Sequence, residues 1–169
     1  MSAVDDDWIR GYARQSKADF ETFLKLQSQP DIPACHHLLF LQMACEKLVK
    51  AHLIGHGGDP RSVQTSHAYT AKTLDIVIRH ELTIRAIKQP QAKWILKYTK
   101  LLAQEIELLA PAVKRAGQRP DNCEYPWEDE SGQVHVPLDW TFAPSSLLLA
   151  PAGRTLLKLI PNAINRLLH

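Results

Sequence analysis

The sequence predicts an all-α fold: an up-and-down antiparallel four-helix bundle with a Pro- and aromatic-rich loop and an additional C-terminal helix. Three observations carry this. Leu38, Leu41, Cys45, Leu48 and His52, with Leu39, Met43, Val49 and Leu53 alongside, recur at spacings of three and four, the pattern of a helix with a wide buried face. Trp94, Tyr98, Leu101 or Leu102, Glu105 or Ile106, Leu109 and Val113 keep the same period. The links between periodic stretches are short and rich in Pro and Gly, which makes successive helices antiparallel neighbours.

The first helix is expected over about residues 7–27, with Trp8, Ile9, Tyr12, Ser16, Phe20, Phe23 and Leu24 as its inner stripe. Aspartates at its start suit the positive end of the helix dipole. The second helix places Gln42, Glu46 and Lys50 four apart on its polar face, Glu46 preceding Lys50 in the favourable order. The sequence from Gly55 to Pro60 stops it. A third helix is expected from Ser66 to about His80, its apolar part being Leu74, Ile76, Val77 and Ile78, and residues 81–88 could continue it. Pro90 suits the first turn of the fourth helix, and Pro111 ends or kinks it.

Residues 117–145 differ in character. Gly117, Pro120, Pro126, Gly132, Pro137 and Pro144 break any helix, and two short β-prone runs flank an acidic turn at residues 129–132, as in a small hairpin. Trp127 and Trp140 are expected to pin this loop to the bundle. The last helix, from about Ala152 to Leu168, should bend at Pro161.

With 169 residues, 45% hydrophobic and 22% charged, the chain has the size and balance of one globular domain. Within it, residues 1–117 form the bundle, and residues 118–169 form the loop, hairpin and C-terminal helix packed on it. The longest apolar runs are too short to span a bilayer. The acidic N-terminal stretch is not a secretory signal. Three cysteines without CxxC spacing suit a reducing cytoplasm, so a cytoplasmic location is expected, with no membrane association. Residues 1–120 carry 17 Lys/Arg against 12 Asp/Glu, while residues 121–153 carry six acids and no Lys or Arg. A mildly basic body permits RNA binding without demanding it.

Gln42, Ala44, Glu46, Lys47, Leu48, Lys50, Ala51 and Leu53, then a Gly/Pro loop and the pair Ser66-His67, resemble the HEPN family (higher eukaryotes and prokaryotes nucleotide-binding domain). Tyr12, Ala13, Arg14, Asp19 and Phe20 fit its first helix, and the resemblance covers roughly residues 7–115. It implies a helical bundle that forms a homodimer, and a place in prokaryotic toxin–antitoxin or antiphage systems. The family contains metal-independent endoribonucleases as well as modules that cut nothing.

The nucleases of this family carry an Arg followed four to six residues later by a His. Arg61 and His67 have that spacing here, and Tyr69, two after the His, matches a modification target in one toxin subfamily. The chemistry is straightforward. Attack of a 2′-hydroxyl needs an acid or base working near neutral pH, which His supplies, and a fixed cation on the phosphate, which Arg supplies. The other reading of Ser66-His67 is a packing or capping role at a helix start. In it the protein is a non-catalytic module binding a nucleotide or a partner protein, such as a nucleotidyltransferase, with the loop from Tyr125 to Glu130 as a contact surface. Lys93, Lys97 and Lys100 fall on one helix face and could follow a nucleic-acid backbone, or simply be solvated. His52 and His56 stand four apart, but no third ligand has a telling spacing, so no metal and no cofactor are expected.

Overall fold

The computed structural model describes residues 3–111 and 121–169. It is mostly helical, as the periodicity predicts, with one small two-stranded sheet. The helices are α1 (Ala3–Gln27), α2 (Ala34–Gly55), α3 (Pro60–Thr65), α4 (Thr70–Ile84), α5 (Gln89–Glu107), α6 (Ala143–Leu149) and α7 (Pro151–Leu168). Strands β1 (Trp127–Glu128) and β2 (Val134–His135) pair antiparallel, Trp127 opposite His135. None of the helices among the described residues is long and apolar enough to cross a membrane.

The long helix α2 is central. It packs on α1, α4, α5 and α7, and its residues Leu38, Leu41, Ala44, Cys45, Leu48 and Val49 are fully buried in the main core. Burial also pushes the Cys45 thiol up to about 12, so it behaves as a small hydrophobe. α1 meets α2 through Ala13, Ser16, Phe20 and Phe23, spaced three, four and three, and Ser16 Oγ donates to the Ala44 carbonyl at 2.7 Å. That bond satisfies a hydroxyl which would otherwise cost free energy on burial. On its other side α1 has α7 as its principal neighbour. Leu156, Leu159, Ile160, Ala163 and Ile164 of α7 belong to the same core, so this helix is a wall of the bundle.

Several expected faces are rotated. Gln42 and Lys50 are buried and Glu46 is nearly so, in what periodicity marks as a solvated stripe; Gln64 of α3 reaches Lys50 and His67 of the loop after it reaches Glu46. Leu24, Ile76 and Trp94 point outward, and the buried residues of α5 are Ile95, Thr99, Leu102, Ala103, Ile106 and Glu107. Tyr98 is half-buried and donates its hydroxyl to the Leu147 carbonyl at 2.6 Å. Val113, expected at the end of that stripe, lies outside the described residues, as do Gly117 and Pro120. The third long helix starts at Thr70 rather than Ser66 and continues through Glu81. The short helices α3 and α6 were not expected. Each begins with a proline in its first turn, where the missing N–H costs nothing. Pro144, read as a breaker, is one of these starts.

The hairpin forms at the expected place. Asp129 accepts from the Ser131 and Gln133 backbone N–H groups at 2.8 and 3.1 Å and from Ser131 Oγ at 2.6 Å. Its other oxygen lies 2.8 Å from His135 Nε2, and this bond leads in holding the Asp129 carboxyl well below the usual carboxylate range. Trp127, His135 and Trp140 cluster with centroids 5.1–5.9 Å apart.

Two helix ends use one closing motif with different residues. After α2, Gly57 has φ +90° and Gly58 N–H bonds to the Leu53 carbonyl at 2.9 Å. After α4, Ile87 N–H bonds to the Leu82 carbonyl at 3.1 Å, but the left-handed position is Ala86, with φ +50°. A side chain there costs free energy that glycine avoids. Ala86→Gly should therefore raise stability by roughly 0.5–1 kcal/mol, read as a higher Tm. Gly153 illustrates the opposite case. A Cβ on it would sit 2.3 Å from the Leu147 carbonyl oxygen, where α6 runs into α7. Gly153→Ala should lower stability by about 1–3 kcal/mol in a urea melt.

Candidate functional site

The expected site residues occupy the segment between α2 and α4. Asp59 caps α3, accepting from Ser62 N–H at 2.9 Å and Ser62 Oγ at 2.7 Å. These bonds, with a smaller contribution from Arg61, hold its carboxyl below the ordinary value. Arg61 lies in the first turn of α3, exposed, beside that aspartate. His67 lies in the extended stretch after α3. Among the described residues no hydrogen bond or ion pair joins Arg61 to His67. Tyr69, just before α4, is half-buried and packs against the hydrophobic core. Lys93, Lys97 and Lys100 are all exposed on α5, and Lys100 lies 3.5 Å from Asp75.

His67 instead reaches back to α2. Its Nδ1 is 3.1 Å from Glu46 Oε1, with the histidine about half exposed and the glutamate mostly buried. The same oxygen lies 2.8 Å from Lys50 Nζ, and Gln42 donates to Glu46 Oε2 at 2.8 Å. Lys50, itself buried, donates onward to the Gln64 carbonyl at 3.0 Å. Burial alone would raise the Glu46 carboxyl. The Lys50 and Gln42 hydrogen bonds, with the charges of Lys50 and His67, more than offset this and hold it below the usual carboxylate value. The ionised glutamate is thus a fixed acceptor that orients the imidazole through Nδ1.

This cluster borders a cleft of about 450 Å³ lined by Trp8, Tyr12, Gln15, Lys47 and Gln64. Trp8 and Tyr12 stack with centroids 5.9 Å apart, and Lys50 Nζ lies 6.0 Å from the Tyr12 ring centre. Burial, followed by the Glu46 charge, raises the Tyr12 hydroxyl. Lys47 is engaged by Asp19, which also accepts from Gln15 at 3.1 Å. A flat apolar ligand group could stack in this cleft, whereas the cation on its wall is already neutralised. The sequence signal for the cluster is the Gln42, Glu46, Lys50 row. What periodicity does not reveal is that a loop folds over it. Among the described residues no group of three His, Cys, Asp or Glu is placed to hold a metal ion.

No family model, curated protein or solved structure matches the chain.

The Glu46 network makes a pH prediction. Its carboxyl is depressed on folding, so its contribution to stability is complete above the unfolded value, about 4.3. That contribution is lost as pH falls through the lower, folded value. Glu46→Gln removes this dependence. The stability gap between wild type and variant should be widest near neutral pH and shrink below about pH 4, measured by urea melts at each pH.

Proposed function

We propose that this protein is a HEPN-like module that works by binding a partner protein rather than by cutting RNA. One observation carries the reading. His67 is engaged in tying the loop after α3 to the buried Glu46–Lys50 pair, and Arg61 stands apart from it beside the cap of α3. A phosphate held by Arg61 and attacked under His67 control needs both side chains on one substrate atom group. Within one chain they are not brought together.

The partner surface in this reading is the hairpin. Its turn is fixed by the Asp129 hydrogen bonds and its base by the Trp127, His135 and Trp140 rings. That rigid frame leaves Tyr125, Val134 and Leu138 exposed, each about 60% or more of its surface. Rigid exposed aromatics and aliphatics beside acidic residues suit a partner with an apolar, basic-rimmed groove. A nucleotidyltransferase is the partner class that the resemblance implies.

A second reading has its own observation. His67 is half exposed, its Nδ1 is oriented by a carboxylate, and no described residue bonds its Nε2. Such a histidine could serve as general acid or base if Arg61 of a second copy met it in a homodimer.

Cleavage and melting measured together separate the readings. Under the binding reading, purified protein leaves RNA intact, and His67→Ala loses about 0.5–1.5 kcal/mol of stability with the Glu46 bond. Under the nuclease reading, RNA is cut in EDTA, and His67→Ala and Arg61→Ala each slow cutting by roughly 10²-fold with little change in Tm.

A further inference from the structure

The start of α1 and the ends of α2 and α7 meet at one end of the bundle around a second cleft, of about 370 Å³. Its lining is basic. Arg10 comes from α1, His52 and His56 from α2, and Arg166 from α7, with Asp6 as the acidic group and His169 at the rim. A cleft of this size falls at the small end of ligand sites.

The side chains are held by local bonds that leave donor capacity unspent. His56 Nδ1 lies 2.8 Å from the His52 carbonyl, which can only accept, so Nδ1 carries the proton and Nε2 of the neutral ring is left as an acceptor. The two imidazoles stack with centroids 4.1 Å apart. His52 is buried, and no described residue bonds either of its ring nitrogens. Arg166 donates Nε–H to Glu81 at 2.7 Å and holds Nη2 2.6 Å from the same oxygen. Only Nε is thereby hydrogen-bonded, and the buried Nη2 of this five-donor fork has no hydrogen-bond partner among the described residues. Among the described residues Arg10 is ion-paired with exposed Asp7 alone, at 3.0 Å, a contact that costs little to give up.

The electrostatics agree with this geometry. Burial first, then the neighbouring charges of His56, Arg166 and His80, push His52 down to about 4. Glu81, on the same helix as His80, is the counter-charge to Arg166, and Asp6 is the other acid facing the cleft. An anion entering between these groups supplies the charge that would favour protonation of His52.

We propose that this cleft binds a small oxyanion of the phosphate class, free or as the end of a phosphomonoester, with Arg10 and Arg166 as its main donors. The proposal does not depend on the partner-binding reading.

The test follows the histidine ring signals by NMR during titration with inorganic phosphate and, separately, with AMP. Ionic strength is held constant with NaCl near pH 6. Saturable shifts at His52 and His56 are expected. Arg10→Ala should weaken binding about tenfold, the scale of one charge-assisted hydrogen bond. Arg14→Ala removes an exposed arginine one turn further along α1, outside the cleft, and should leave binding unchanged. Tighter saturation by AMP assigns a phosphomonoester, and equal saturation assigns free phosphate. Shifts that never saturate, or the same affinity in Arg10→Ala and wild type, would overturn the proposal. So would equal weakening by Arg14→Ala.

Discussion

The constraint on which the rest of the structure depends is the burial of Glu46 and Lys50 on the central helix. A carboxylate and an ammonium removed from water must be paired and must have their remaining hydrogen-bonding capacity met. The 2.8 Å contact between them does only part of this. Gln42 serves the second carboxylate oxygen, the Gln64 carbonyl takes a further Lys50 proton, and His67 meets the shared oxygen. Two of these three partners come from beyond the end of α2. The Gly57 turn, the proline start of α3 and the extended stretch to Tyr69 are therefore positioned by the pair they cover. An arrangement that displaced Gln64 would leave a buried lysine short of an acceptor. That penalty selects one path for this segment more than it adds to overall stability.

Much of this was legible in the sequence, and the misses have a common cause. Periodicity located every long helix and the hairpin, because amphipathic spacing and turn residues are local signals. It misassigned faces on α2, α4 and α5, where burial is decided by what lies opposite. Gln42, Glu46 and Lys50 look like a solvated row until α3 is folded over them. Trp94 reads as core by size and is exposed, while Thr99 is buried because its hydroxyl donates to the Ile95 carbonyl of its own helix at 2.9 Å. The spacing of Arg61 and His67 was visible, but six residues of chain do not fix a distance. A helical turn ends between the two, and each finds a different carboxylate.

The first turns of α1 stand between two clefts of different chemistry. Trp8, Gly11, Tyr12 and Gln15 face the aromatic one, and Asp6, Ile9 and Arg10 face the basic one. Asp7 lines the first and Arg10 the second, and their 3.0 Å ion pair is a direct link between them. A group that drew Arg10 away would leave Asp7 uncompensated beside Trp8 and Tyr12. The two surfaces thus share a charge although they share no lining residue.

The placement of α7 between α1 and the later helices governs when this protein can become itself during synthesis. α1 needs α7, far along the chain, to cover its second apolar side. Until α7 follows, Phe20 and its neighbours lack the Leu159–Ile164 wall, and the emerging chain carries an open apolar seam. Contacts that join the two ends of a sequence are the slow ones to form, since the whole intervening chain must be ordered around them. A growing polypeptide of this design is exposed to non-productive association until α7 has been made. Final closure is then a single late event rather than a gradual accretion of helices.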